Sequence, residues 1–167
     1  MADACITVTL EGYRVLDRCT LASYRFAAAL KEGIPMSPAV SVAEAIAERS
    51  RRFETAYGAA DANALVEAYF AGDSHGPMAL PPGGAPPVRG RASLKAMFVG
   101  MFADAPKIRL ETVELVASDT VATEIGRAFL TTRDGVDVIG RYVVCWVLTS
   151  DGWRAKVDFF AQDGWAD

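Results

Sequence analysis

From residue 108 to residue 161 the chain reads IRLETVELVA (108–117), TVATEIGRAFLTT (120–132), DVIGRYVVCWVLT (137–149) and WRAKVDFFA (153–161). These runs are rich in valine, isoleucine, threonine and aromatics, residues that fit a pleated, half-buried surface, and they alternate with period two. Ser118-Asp119, Asp134-Gly135 and Asp151-Gly152 stand between them. Asp-Gly readily takes the positive φ angles of tight hairpin turns, so the four runs predict consecutive hairpins, an antiparallel meander. One face of such a meander has to be covered by the rest of the chain.

The cover lies upstream. Ser41-Val42-Ala43-Glu44 is a capping box, in which the serine hydroxyl and the glutamate carboxylate satisfy the free amides of a helix start. Ile46, Ser50, Phe53 and Tyr57 then recur at helical spacing, with Glu48, Arg49, Arg51, Arg52 and Glu54 on the other face, and the helix ends near Gly58. Asp61 caps a second, shorter helix that buries Leu65, Val66, Tyr69 and Phe70 and stops at Gly72-Asp73. The stretch 76–91, dense in proline and glycine, predicts an irregular surface loop. A third helix over 92–102 carries Leu94, Met97, Phe98 and Met101 on one stripe. The fold class is therefore α+β, three helices on an antiparallel sheet, spanning residues 41–162 with a tail at 163–167. Residues 1–40 have weaker periodicity and read as an N-terminal extension, poorly ordered or folded as an extra helix over 13–30. Met36 is a candidate true start.

Composition narrows the function classes. With 51% hydrophobic and 23% charged residues the chain holds enough apolar surface for one domain with its own core. A net charge of −4 and the lack of a basic run exclude nucleic acid as the expected partner. Charge or glycine interrupts every apolar run before membrane-spanning length, and no export signal is visible, so neither membrane nor export is expected. Cys5, Cys19 and Cys145 follow no CxxC spacing and predict free thiols in a reducing, cytoplasmic setting. His75 is the single histidine. It adjoins Ser74 in Gly72-Asp73-Ser74-His75, so it cannot serve as the distant base of a serine esterase, and it leaves no imidazole pair for a zinc site. Gly83-Gly84 lacks the lysine of a phosphate loop. No metal and no cofactor are expected.

Tyr57-Gly58-Ala59-Ala60-Asp61, Leu80-Pro81-Pro82-Gly83, Val88-Arg89-Gly90-Arg91, Gly140-Arg141-Tyr142 and Asp151-Gly152-Trp153-Arg154 occur in the order and spacing of the nuclear transport factor 2-like superfamily. Over residues 42–161 the chain resembles its SnoaL-like and ketosteroid-isomerase-like bacterial members. The resemblance implies a cone-shaped, cystatin-like fold in which helices close over a curved sheet around an apolar interior, and homodimers as the usual assembly. It does not imply an activity, since the scaffold serves isomerases, cyclases, dehydratases, hydrolases and binding modules alike. Ketosteroid isomerase needs a carboxylate base with a tyrosine and a protonated aspartate as donors. Aligned on this chain, the donor tyrosine falls on Phe53, the base near Met78–Leu80 and the donor aspartate on Gly140, so that catalytic set is absent; Tyr57, one turn beyond Phe53, is the one candidate substitute. The Asp-Arg-Asp set of limonene-type epoxide hydrolases has no assignable place.

Strand parity supplies the remaining candidates. Tyr142, Val144, Trp146 and Leu148 share one face of the third strand, and Trp153, Ala155, Val157 and Phe159 one face of the fourth; these are the expected inward faces. Phe53, Tyr57, Phe98, Tyr142 and Trp146 then form the candidate lining for a small hydrophobic molecule, the polar tips of tyrosine and tryptophan orienting it. Arg141, Arg154, Lys156 and Asp158 fall on the opposite parity, which places them on a solvated or subunit-facing surface. A bulge in the last strand reverses that parity and turns Asp158 inward, a buried catalytic carboxylate oriented by Arg127 or Arg141. Two functions follow: a small-molecule binder, extended to a cyclase, isomerase or dehydratase, or a non-catalytic homodimeric interaction module with a filled core.

Overall fold

The computed structural model of the chain describes residues 41–162. The expectations for residues 1–40, Met36 included, and for 163–167 lie outside the described residues. Helix α1 (Val42–Gly58) starts at the predicted capping box: the Ser41 amide donates to Glu44 Oε2 at 2.9 Å and the Glu44 amide to Ser41 Oγ at 3.2 Å. It buries Ile46, Phe53, Ala56 and Tyr57. Helix α2 (Ala62–Tyr69) is capped by Asp61, whose Oδ1 accepts from the Ala64 amide at 2.9 Å. Helix α3 (Arg91–Asp104) buries Leu94, Phe98 and Phe102, one residue per turn.

The meander is present: β3 (Lys107–Ala117), β4 (Val121–Thr131), β5 (Asp137–Thr149) and β6 (Gly152–Gln162) pair antiparallel in sequence. Gly135 and Gly152 hold positive φ in the two Asp-Gly turns. The sheet is larger than the meander and mixed, in order β2-β1-β6-β5-β4-β3. The added strands, β1 (Met78–Leu80) and β2 (Val88–Arg89), come from the stretch expected to be irregular. Met78, Ala79 and Leu80 pair in parallel with Val157, Asp158 and Phe159. Three residues among prolines carry no periodicity of their own. They become a strand because they satisfy the edge of β6, which would otherwise present unpaired amides and carbonyls.

Two bulges break the alternation. Val113 is the extra residue between Thr112 and Glu114 on β3, and Lys156 is the extra residue on β6, where Cys145 faces Val157 while Trp146 faces Ala155. Each increases local twist and resets which side chains point inward. Trp153 and Ala155 are buried as expected, but beyond Lys156 the order inverts: Asp158 is buried and Phe159 is exposed. The expectation that Val157 and Phe159 face inward is corrected by this bulge. Leu148, at the hairpin end of β5, is exposed as well.

The helix-covered face is filled by an aromatic cluster. Phe53 lies 4.7 Å from Tyr69 and 5.6 Å from Phe98 between ring centroids, Tyr69 lies 5.0 Å from Trp146, and Tyr57 lies 4.9 Å from Phe102. Tilted and edge-on ring pairs of this kind contribute about 1 kcal/mol each beyond their burial.

Candidate functional site

At one end of this core the packing leaves a cavity of about 140 Å³. Phe53 of α1, Tyr69 of α2, and Phe98 and Met101 of α3 form its helical wall. The sheet supplies Ile108, Leu110, Leu130, Tyr142 and Phe160, and Pro82 comes from the loop between β1 and β2. The space exists partly because Ala128 and Gly140, which face each other across β4 and β5, bring almost no side chain to it. Gly140 is also constrained by its neighbour: a Cβ there would stand 2.9 Å from the Ala161 carbonyl oxygen. The walls are apolar apart from a few groups, of which Asp158 is the carboxyl.

Asp158 reaches the cavity because of the Lys156 bulge. It is 8% exposed. Among the described residues no group hydrogen-bonds its carboxyl. Burial, which penalises the charged form, pushes its pKa from 3.8 up to about 7, with the negative charge of Glu124 adding to the effect. At neutral pH both its acid and its base forms are therefore populated, the condition under which a carboxyl can give and take protons. Tyr69, fully buried beside it, keeps its proton: burial and the charges of Asp158 and Glu124 push its pKa well up.

Glu124, which sequence reasoning did not single out, is completely buried on the same face. Its Oε1 accepts from Thr112 Oγ1 at 2.6 Å and from the Tyr142 hydroxyl at 3.0 Å, and its Oε2 accepts from Trp146 Nε1 at 3.0 Å. A signal for it exists in the sequence, since Glu124 is in phase with Ala122, Gly126 and Ala128, the inward set of β4. The Tyr142 ring lies over Gly126, where a Cβ would stand 2.1 Å from Cζ. Burial pushes the pKa of Tyr142 upward, and the Glu124 charge reinforces that.

Of the five residues expected to line a ligand space, Phe53, Phe98 and Tyr142 border the cavity and Tyr57 and Trp146 do not. The Tyr57 hydroxyl donates to the Ala105 carbonyl at 2.8 Å, tying α1 to the link between α3 and β3, and burial pushes its pKa up to about 12. Trp146 spends its indole N–H on Glu124. Arg127 is exposed on the opposite face of β4 from Glu124, so it cannot orient Asp158 across the sheet. Its register partner Arg141 is exposed too, although that position contributes to the cavity wall beside Gly140. Phe53 and Gly140, the positions aligned with the ketosteroid isomerase donors, both face the cavity and carry no donor side chain. Among the described residues no cluster of three His, Cys, Asp or Glu side chains could hold a metal ion, and no helix is long and apolar enough to cross a membrane.

Three helices over a bulged sheet, with an apolar interior holding a buried carboxyl, define a small α+β protein of the cone type. The chain belongs to the SnoaL-like domain family, whose sequence model matches residues 50–156, within the nuclear transport factor 2-like superfamily. Solved structures agree on the fold. A candidate dehydratase of the nuclear transport factor 2-like family from Streptomyces avermitilis is 12% identical at a TM-score of 0.62, the match covering 74% of this chain and 97% of that one. A ketosteroid isomerase-like protein from Erwinia carotovora atroseptica is 19% identical at 0.59, covering 72% and 95%. A candidate calcium/calmodulin-dependent protein kinase II association domain from Xanthomonas campestris is 16% identical at 0.61, covering 77% and 93%. No curated protein matches the sequence.

Proposed function

We propose that this protein binds a small, largely apolar molecule in the cavity and moves a proton on it with Asp158, as an enzyme of the isomerase, cyclase or dehydratase kind. The observation that carries this reading is the Asp158 carboxyl, buried without a hydrogen-bond partner among the described residues and facing an apolar space. A single such group suits reactions in which the proton taken is given back. In an isomerisation the carboxylate removes a proton from a carbon beside a carbonyl, the electron pair moves into the enolate, and the carboxylic acid returns the proton at another carbon. In an intramolecular carbon–carbon closure the enolate attacks a second carbonyl and the resulting alkoxide takes the proton. Neither needs a second acid. Glu124, with its three donors, is not free to serve as one. The volume is close to the roughly 150 Å³ of an apolar cavity that accepts benzene, so the buried part of the substrate is about one ring in size. Cyclohexanone in heavy water is a suitable probe: the protein is expected to accelerate exchange of its α-protons, read by NMR, and Asp158→Asn to lower the acceleration by about 10²- to 10⁴-fold. Equal exchange by the two proteins would remove Asp158 from the chemistry.

A second reading, a homodimeric module, is favoured by a different surface. On the outer face of the sheet Ile125, Val143 and Phe159 lie in one cross-strand row, with Ile125 and Phe159 at least 40% exposed and Val116 and Val121 exposed nearby. We propose that a second copy of the chain covers this face, either around a working cavity or as the protein's whole purpose. Sedimentation of wild type and Phe159→Glu separates the cases: a dimer converted to monomer supports the interface, and a wild-type monomer at micromolar concentration ends that reading. Cys145, exposed on the same face as a free thiol, suits a reducing compartment, and the cytoplasm is the proposed location.

A further inference from the structure

Glu124 of β4, Val144 of β5 and Asp158 of β6 form one cross-strand row. Both carboxyls stand on the helix-covered face, two strand spacings or roughly 10 Å apart at the backbone. Their surroundings differ completely. Three donors converge on Glu124, and the indole N–H of Trp146 can only donate. The 2.6 Å contact from Thr112 Oγ1 falls in the range of hydroxyl bonds to an ionised carboxylate. These donors complement the charged form of Glu124 and fix its carboxyl behind the cavity wall. Its tether passes through Tyr142, which borders the cavity and donates inward to Glu124, its ring occupying the space that Gly126 leaves open.

We propose that Glu124 is a positioning residue for proton transfer, an immobile anion whose charge, added to the desolvation of the cavity, shifts the balance between the acid and base forms in which Asp158 meets its substrate. The inference rests on the reading of Asp158 as the proton-carrying group. The titratable and charged groups facing Asp158 are few: Tyr69 from α2, Glu124 from β4, and Tyr142 with Arg141 from β5, while β1, α1 and α3 present Ala79, Phe53, Phe98 and Met101. Both tyrosines keep their protons and Arg141 is exposed, which leaves Glu124 as the buried charge acting on Asp158. Desolvation supplies the larger part of the effect and is indiscriminate. Glu124 supplies the part that one substitution can remove.

The test needs no substrate. In the full chain labelled with ¹³C at side-chain carboxyls, the Asp158 resonance, assigned with Asp158→Asn, is followed through a pH titration in wild type and in Glu124→Gln. The glutamine keeps the shape at 124 and removes the charge, its amide oxygen accepting from Trp146 Nε1 while its NH2 donates to the Thr112 and Tyr142 hydroxyls, which can accept as well as donate. The Asp158 midpoint is expected to fall by about one pH unit, the effect of a like charge roughly 10 Å away at an effective dielectric constant near 20. An unchanged midpoint in a folded variant would show that Glu124 only braces the core. Should Glu124→Gln fail to fold, the wild-type spectrum still decides: a Glu124 carboxyl resonance at the carboxylate position while Asp158 titrates supports the proposal, and one at the protonated position overturns it. Failure of the proton-transfer reading looks different, since it shows in cyclohexanone exchange that Asp158→Asn leaves unchanged, whatever the midpoint does.

Discussion

Glu124 and Asp158 are two carboxyls buried under the same helices, in the same row of the same sheet, and they are held in opposite ways. Around Glu124 the chain has assembled a threonine, a tyrosine and a tryptophan, whose donors replace the water a carboxylate loses on burial. Around Asp158 it has placed phenylalanine, methionine and an empty volume. The first arrangement stabilises a charge. The second makes charge expensive, because nothing compensates the lost hydration. The comparison teaches that residue type does not separate a stabilised buried carboxylate from a desolvated one; the number of donors aimed at it does. It also locates the open end of the interior, where small residues at 128 and 140 leave room, away from the end packed by Trp146 and Trp153.

The sharpest way to break the contrast is at Gly126. A Cβ at this position would overlap the Tyr142 ring, with Cζ, Oη and Cε1 all within 2.6 Å, so alanine cannot be added without moving the tyrosine. Moving it takes the hydroxyl away from Glu124 and leaves a buried anion with two donors. Overpacking costs about 1–3 kcal/mol, and losing a hydrogen bond to a charged group about 1.5–3 kcal/mol. Gly126→Ala is thus expected to destabilise the fold by roughly 4 kcal/mol, measured by urea denaturation. Gly126→Ala/Tyr142→Leu should recover the steric part and leave the hydrogen-bond part. A single variant as stable as wild type would mean that the ring has another place to go and that the clamp on Glu124 is dispensable.

How much of this was legible beforehand divides along the same line. The capping box at Ser41, the Asp61 cap and the Asp-Gly turns are local chemistry, and the structure places each where the sequence pattern puts it. The four long strands follow from alternation. What alternation could not reveal was anything that depends on a partner strand. Met78–Leu80 is a strand only because β6 has an open edge. Lys156 is a bulge only because β5 pairs with both of its neighbours and skips it, and no residue type announces that. The site inherits this dependence: reading WRAKVDFFA as a regular strand buries Phe159 and exposes Asp158, and one extra residue exchanges them. Glu124 was legible in principle, as a single acid among Ala122, Gly126 and Ala128, but an inward carboxylate becomes a hypothesis only when its donors are known, and these come from the two neighbouring strands, β3 and β5.

A somewhat smaller effect is expected when Asp158 is made to resemble a neutral group permanently. Its folded pKa of about 7 lies above the unfolded value near 3.8, so the folded state keeps a proton that the unfolded chain has released. Below the unfolded value both states are protonated and the residue costs nothing. As pH rises from there through the folded value, ionisation increasingly favours the unfolded chain, and the loss is complete above about pH 7. Three pH units correspond to about 4 kcal/mol, and relaxation of the cavity or entry of water lowers this to on the order of 3 kcal/mol. Asp158→Asn is therefore expected to match wild type near pH 3, below the unfolded value, and to exceed it by about that amount at pH 8, in urea denaturation at the two pH values. A stability gain independent of pH would place the benefit in packing and remove the desolvated carboxyl from the account. A gain confined to high pH, together with lost exchange of the probe ketone, would show that the residue which weakens the fold is the one that carries the chemistry, the trade expected where a reactive group is kept out of water.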